Sequence, residues 1–241
     1  GCASTSLDIE KESDASKSFA YIKKLYTNGI YDKTIEQAQK FKVKYIYSKY
    51  FSELDLLVAE SYLKLEDYVE ATASFRRFLQ FYPKHPQRAY VLYKVGDTYW
   101  QQAPVAVDRE QSFALKAIEA WEEMLKLYPE SHLSEKVKKL IGEGRLRLLR
   151  ADQFITQFYC KQGVWHACAY RALQGVKRSF GHKKIEKDLL QKSATAFKNL
   201  ARLKTENKED VESNLYFRDM SLAELEEKAI QLQKQADRIQ I

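Results

Sequence analysis

The chain has 241 residues, 40 Lys and Arg against 33 Asp and Glu, and a net charge of +7. The charges interleave along the sequence, so the excess suits an acidic protein, an anionic surface or nucleic acid equally and singles out none of them. No stretch approaches the roughly 18 apolar residues that a membrane-spanning helix needs, and only 8 Gly and 4 Pro punctuate the chain.

All four prolines, Pro83, Pro86, Pro104 and Pro129, fall between segments of apolar periodicity. A proline inside a helix costs roughly 3 kcal/mol, so their confinement to junctions leaves the remainder free to be helical. Hairpin turn signals for strands are missing. The fold expected is all-α.

Chain order gives a succession of helical hairpins. The first is faint: Gly29, Tyr31 and Ile35 mark a turn and the start of a second helix, with Thr34 where a tetratricopeptide repeat has Ala. In the second, Val58-Ala59, Tyr62, Ala71, Phe75 and Pro83 follow the tetratricopeptide pattern of small and aromatic positions. The third repeats it with Val95-Gly96, Tyr99, Ala117, Trp121 and Pro129. Small residues belong where two helices approach closely, and aromatics fill the space to the next hairpin. Tyr62 and Tyr99 are 37 positions apart but Ala71 and Ala117 are 46, which places extra residues in the third turn, around Gln102–Gln111. A fourth hairpin with a long first helix from Ser134 turns at Gly163 and Trp165. Leu189–Leu203 and Leu222–Ile239 make a degenerate fifth, joined by a polar connection. Asp67 with Glu70 and Ser221 with Glu224 have capping-box spacing and start helices. The expectation is an array of about five tetratricopeptide-like hairpins in a curved solenoid. Residues 1–17 are then an anchor and tether, 18–130 the first three repeats and 131–241 the last two.

Catalytic signatures are missing: the chain has no phosphate-binding glycine loop, no dinucleotide fingerprint, no H-E-x-x-H and no C-x-x-C pair. His166 and Cys168 stand two apart, which on a helix points them in different directions. The sequence implies no enzyme, no cofactor and no metal. Lysines interleave with aromatics from Lys42 to Phe51, a pattern compatible with stacking on single-stranded nucleic acid. The reading preferred is that some of Tyr45, Tyr47, Tyr50 and Phe51 pack the junction of the first two hairpins while others line a groove for a peptide, with no nucleic-acid role.

Cys160 and Cys168 flank the fourth turn, where antiparallel helices bring them opposite one another. That placement allows a disulfide in an oxidising compartment. The commoner arrangement is two small apolar side chains at a close helix contact. Cys2 has no packing role in view, and Gly1-Cys2 matches what a bacterial lipobox leaves after trimming. Lipid on Cys2 would anchor the chain, and residues 3–17, if flexible, would span roughly 20 Å.

The motifs Arg77-Phe78, Pro83-x-His85-Pro86, Tyr90-Val91-x-Tyr93-x-x-Gly96, Val107-Asp108-Arg109 and Gly163-x-Trp165 with Arg171 run in the order found in the BamD family of bacterial outer-membrane assembly lipoproteins, which this chain resembles over residues 20–180. The resemblance implies a scaffold and substrate receptor, lipidated at Cys2 and held at the periplasmic face of the outer membrane. Its carboxyl-terminal repeats would dock on a POTRA domain of BamA, with Arg171 and Trp165 at the docking position, and other lipoproteins of the assembly machine are potential partners. The amino-terminal repeats, with Tyr45, Tyr47 and Tyr50, would receive targeting peptides of unfolded outer-membrane proteins. The chain departs from the family there, with Ile46, Ser48 and Lys49 in place of a Pro-rich turn. The competing expectation is a pilotin-like repeat lipoprotein for secretin or pilus assembly.

Overall fold

A computed structural model of the protein describes residues 7–206 and 217–241. It contains α1 (Ala15–Thr27), α2 (Tyr31–Lys44), α3 (Phe51–Lys64), α4 (Tyr68–Phe81), α5 (Arg88–Gln102), α6 (Ser112–Leu127), α7 (Ser134–Lys161), α8 (Trp165–Arg178), α9 (Lys183–Thr205) and α10 (Leu222–Arg238). No strand occurs among the described residues. In sequence the helices pair as five hairpins. The long third turn occupies residues 103–111, and the long helix of the fourth hairpin begins at Ser134. The fifth hairpin starts earlier than its leucines suggest, at Lys183 rather than Leu189, because Ile185 extends the apolar face by one turn.

Local chemistry sets the boundaries. Asp14 accepts from the Ser16 N–H at 2.8 Å and opens α1, and Asp67 accepts from the Glu70 N–H and opens α4. Ser221 and Glu224 form a reciprocal capping box at the start of α10, with the Ser221 N–H donating to Glu224 at 2.6 Å. Gly29 and Gly163 close the first and fourth hairpins at φ +74° and +71°, a region that glycine enters without steric cost. Thr34, buried in place of the usual alanine, donates its hydroxyl to the Ile30 carbonyl at 2.9 Å and so leaves no polar group unpaired.

The chain divides into two compact units, residues 1–103 with 112–141, and residues 104–111 with 142–241. The change falls inside α7, beside Gly142. In the first unit, Ile9, Phe19, Ile22, Phe41 and Leu54 pack at the first hairpin, and Ala59, Ala71, Phe75, Phe78 and Val91 fill the next layer. In the second unit Phe197, Leu200, Phe217, Leu225 and Leu232 form the core. The expected tether is shorter than residues 3–17: Ile9 is buried, and Lys44 Nζ donates to the carbonyls of Ile9, Glu10 and Glu12 at 2.9, 2.7 and 2.6 Å. One apolar side chain and one cation thus fix the segment before α1.

Helices α5 and α6 approach closely at Gly96. Trp121 is fully buried, and its indole N–H donates to the Tyr93 carbonyl at 3.2 Å. A Cβ on Gly96 would stand 2.2 Å from the indole Nε1. Gly96→Ala is therefore expected to destabilise the fold by about 1–3 kcal/mol, because overpacking outweighs the helix propensity gained. A thermal melt checks it, and an unchanged or raised Tm contradicts the close approach.

Candidate functional site

The aromatic run after α2 splits into three roles. Tyr45 packs on Phe41 with ring centroids 4.6 Å apart, and its hydroxyl bonds to the Glu12 carbonyl and lies 3.0 Å from Ser18 Oγ. Tyr50 stacks on Phe19 at 4.4 Å. Both therefore serve the first hairpin's core. Tyr47 points outward, 96% exposed, at φ +73°, and Val43 and Ile46 beside it are also exposed. Lys42 pairs with Asp55, and Lys44 holds the preceding segment, so these two lysines are engaged within the fold.

The first two hairpins enclose a cleft of about 230 Å³, with Lys42 from α2, Asp55, Val58 and Tyr62 from α3, and Arg77 and Phe78 from α4 in its wall. Burial pushes the Tyr62 phenol above its ordinary value, the charges of Glu70 and Asp67 add to the shift, and Arg77 opposes it. Arg77 and Lys42 share the cleft with Glu70 and Asp55, so its charges are mixed, and Val58, Tyr62 and Phe78 supply the apolar and aromatic surface that can receive an aromatic side chain.

Two carboxylates on α3 organise the surroundings. Glu60 accepts from the Tyr26 hydroxyl of α1 at 2.6 Å and, through its other oxygen, from the Tyr90 hydroxyl of α5. Asp55 accepts from Tyr82 at 2.6 Å and pairs with Lys42. Burial, then the hydrogen bond and charge of the carboxylate, raises Tyr26, Tyr82 and Tyr90 well above the ordinary phenol range. The sequence does not single out these acids, since each reads as one more charge on a helix face; the signal available is that Tyr26 and Tyr90 lie 34 and 30 positions from Glu60, about one repeat on either side.

The Pro83-Lys84-His85-Pro86 turn is held by packing. The His85 ring sits edge-on to Phe78 at 4.9 Å, and its Nδ1 accepts from the Gln87 N–H at 3.2 Å. Arg88 donates to Tyr128 at 2.9 Å and to the Leu79 carbonyl. In the long turn, the Gln111 side chain donates to the carbonyls of Ala106 and Arg109, each at 3.0 Å, and shapes the Val107-Asp108-Arg109 segment.

In the second unit, Cys160 and Cys168 form a disulfide across the α7–α8 turn, with Cα atoms 5.0 Å apart. Cys168 is thus no thiol nucleophile. Trp165 is half-buried against the core of this unit. Arg171 is exposed on α8. Beneath it, buried Asp152 is paired with Arg178 at 2.8 Å; burial raises its carboxyl, and Arg178, then Arg171, oppose the shift. Between α9 and α10 lies an open groove of about 980 Å³ lined in part by Lys198, Arg202, Glu226 and Ile230. Among the described residues, no three His, Cys, Asp or Glu are placed to hold a metal, and no helix is long and apolar enough to cross a membrane. Cys2 lies outside the described residues.

Successive helical hairpins with small–aromatic packing define an all-α protein of the tetratricopeptide type. The chain belongs to the YfiO family of outer membrane lipoproteins, whose model matches residues 11–215. It is 25% identical over 197 residues to the outer membrane protein assembly factor BamD of Haemophilus influenzae, covering 74% of this chain and 71% of that protein. With the BamD of Neisseria meningitidis serogroup B it shares 20% identity over 232 residues, 89% of this chain and 84% of the relative. The match to the Caulobacter vibrioides BamD, at 22% identity, spans 56% of this chain and 44% of that protein.

The phenols give a pH signature. The unfolded chain releases phenol protons near pH 10, whereas the native state keeps those of Tyr26, Tyr82 and Tyr90. Their contribution to stability is full below about pH 10 and falls as pH rises above it. Alkaline unfolding should accompany ionisation of the last phenols in an ultraviolet titration, and Tyr90→Phe should make the fall less steep; ionisation of all 16 tyrosines near pH 10 without unfolding contradicts the buried bonds. Replacing both Cys160 and Cys168 by Ser is expected to lower stability by about 2–3 kcal/mol for so short a loop. Denaturant titration checks this, and mass mapping without reductant should find the two peptides joined.

Proposed function

We propose that this protein is a non-catalytic scaffold and substrate receptor in outer-membrane β-barrel assembly. The observation that carries the reading is membership of an outer membrane lipoprotein family in which relatives covering most of this chain are named assembly factors. A lipid on Cys2 would hold it at the periplasmic face, consistent with that family description. Helical hairpins in series present broad surface for partners, which suits a receptor.

Two surfaces have chemistry that fits two partners. Asp152 of α7 is already held by Arg178, so the exposed Arg171 guanidinium on α8 can grip a carboxylate from outside the chain. Trp165 and the disulfide fix the turn from which α8 departs. This is the docking surface we assign to the POTRA region of BamA. On the first two hairpins, the Arg77–Tyr62–Phe78 cleft suits an extended peptide that presents an aromatic side chain, the chemistry of a targeting segment of an unfolded outer-membrane protein. Tyr47 is the member of the tyrosine trio with a ring free to stack on such a peptide.

Affinity capture from detergent-solubilised membranes, read by mass spectrometry, tests the role. The expected result is a stoichiometric barrel protein carrying POTRA domains, and a secretin or pilus subunit in its place overturns the reading in favour of a pilotin-like function. Arg171→Glu should weaken capture by about tenfold or more, since it replaces a charge pair with like-charge repulsion. Unchanged capture removes Arg171 from the interface.

A further inference from the structure

The α8–α9 turn presents an aromatic ring to solvent amid cations, and nothing in the docking or peptide surfaces uses it. Phe180 is 89% exposed. Its exposure is imposed by the turn. Ser179 on one side is buried, its hydroxyl donates to the Val176 carbonyl at 2.7 Å, and its carbonyl accepts from the His182 N–H at 2.8 Å. Gly181 on the other side takes φ +80° and reverses the chain. Val176, at the end of α8, packs on the core of this unit. A phenylalanine could turn inward only by breaking these bonds.

The ring has a basic setting. From Arg171 through Ile185 the chain carries five cations and no carboxylate. Lys177, three residues before Phe180, and Lys183 and Lys184, three and four after it, are all exposed. The nearby acids do not neutralise them all: Asp152 is held by Arg178, Asp188 by Lys192 with Gln153 at 2.7 Å, and Glu186 alone lies in the first turn of α9. Lys183 and Lys184 open α9, where the helix macrodipole disfavours positive charge. The lysines therefore lower helix stability at that position, and their use lies in what they face.

We propose that this turn is an interfacial contact for an anionic phospholipid surface, with Phe180 inserted among the headgroups and Lys177, Lys183 and Lys184 set against the phosphates. An isolated aromatic tip with lysines on both flanks fits a bilayer because apolar insertion and headgroup attraction act together there. A protein pocket for Phe180 would bury the lysines beside it and would need matched carboxylates. The contact would add a second attachment to a chain whose family is described as outer membrane lipoprotein, and it does not depend on which partner α8 binds.

The test is co-sedimentation of the full chain carrying Cys2→Ser, so that no acyl chain contributes, with phosphatidylcholine vesicles and with vesicles containing one-third phosphatidylglycerol. The expected result is binding to the anionic vesicles that weakens with salt. Phe180→Ser should lower partitioning about tenfold and Lys183→Gln with Lys184→Gln about thirtyfold, while Phe180→Leu retains it. Phe180 is exposed, so its variants should melt with the parent, and the double lysine variant should melt no lower than the parent. Absence of binding to anionic vesicles, or equal binding by parent and variants, overturns the proposal. Loss of an acidic protein from membrane captures made with the same variants, without vesicle binding by the parent, would reassign the turn to a protein partner and also overturns it.

Discussion

One carboxylate, Glu60, sits at the centre of the first unit's register. Its two oxygens each accept one phenol, Tyr26 from the helix two before and Tyr90 from the helix two after. A helical hairpin cannot bury its apolar face alone and depends on its neighbours. Apolar contacts between neighbours tolerate sliding, whereas a hydrogen bond to a charged acceptor fixes position and contributes about 1.5–3 kcal/mol. Glu60 imposes that fixity on three hairpins from the middle one. Asp55, five residues earlier on the same helix, does the same on another face by joining Lys42 and Tyr82.

Within that register, small residues determine how closely helices approach. Ala59, Ala71 and Ala117 are fully buried, and Gly96 leaves room for the Trp121 indole, whose N–H then reaches the Tyr93 carbonyl. The tryptophan is the largest fully buried side chain in the protein's described core. Its one polar atom is paired, so the packing incurs no desolvation penalty. The cleft beside Arg77 has its floor in the same layer, on Phe78, and its walls carry Asp55 and Lys42, so the geometry of that site follows from the packing beneath it.

Much of this architecture is legible in the sequence because repeat packing leaves small and aromatic residues at fixed spacing. The turns at Gly29 and Gly163, the insertion before Ser112 and the helix start at Ser134 all fall where the pattern places them. The site residues are less legible. Tyr45, Tyr47 and Tyr50 look alike in sequence, yet two are used internally and one is not, because the outcome rests on the contacts of Tyr45 with Phe41 and the Glu12 carbonyl and of Tyr50 with Phe19. Spacing could not choose between a disulfide and a close thiol contact at Cys160 and Cys168, since both need the same helix approach; the structure has the disulfide. Glu60 and Asp55 were hidden for a different reason: a carboxylate on a helix face declares nothing about which phenols it meets.

Among the described residues, the two most exposed aromatics are both held outward by their turns. Tyr47 adopts φ +73°, a region that costs a non-glycine residue about 1–2 kcal/mol, and Phe180 is held outward by buried Ser179 and by Gly181 at φ +80°. Neither ring is outside for want of a place to pack, because local backbone geometry drives both outward. At Tyr47 a glycine or asparagine would serve the turn at lower cost. The tyrosine ring contributes nothing to the fold that would offset the strain, so its effect lies at the surface. Rings that serve the fold here are paired, stacked or hydrogen-bonded. A ring held outward by its turn, at a backbone cost in the case of Tyr47, is where contact with other molecules is to be sought.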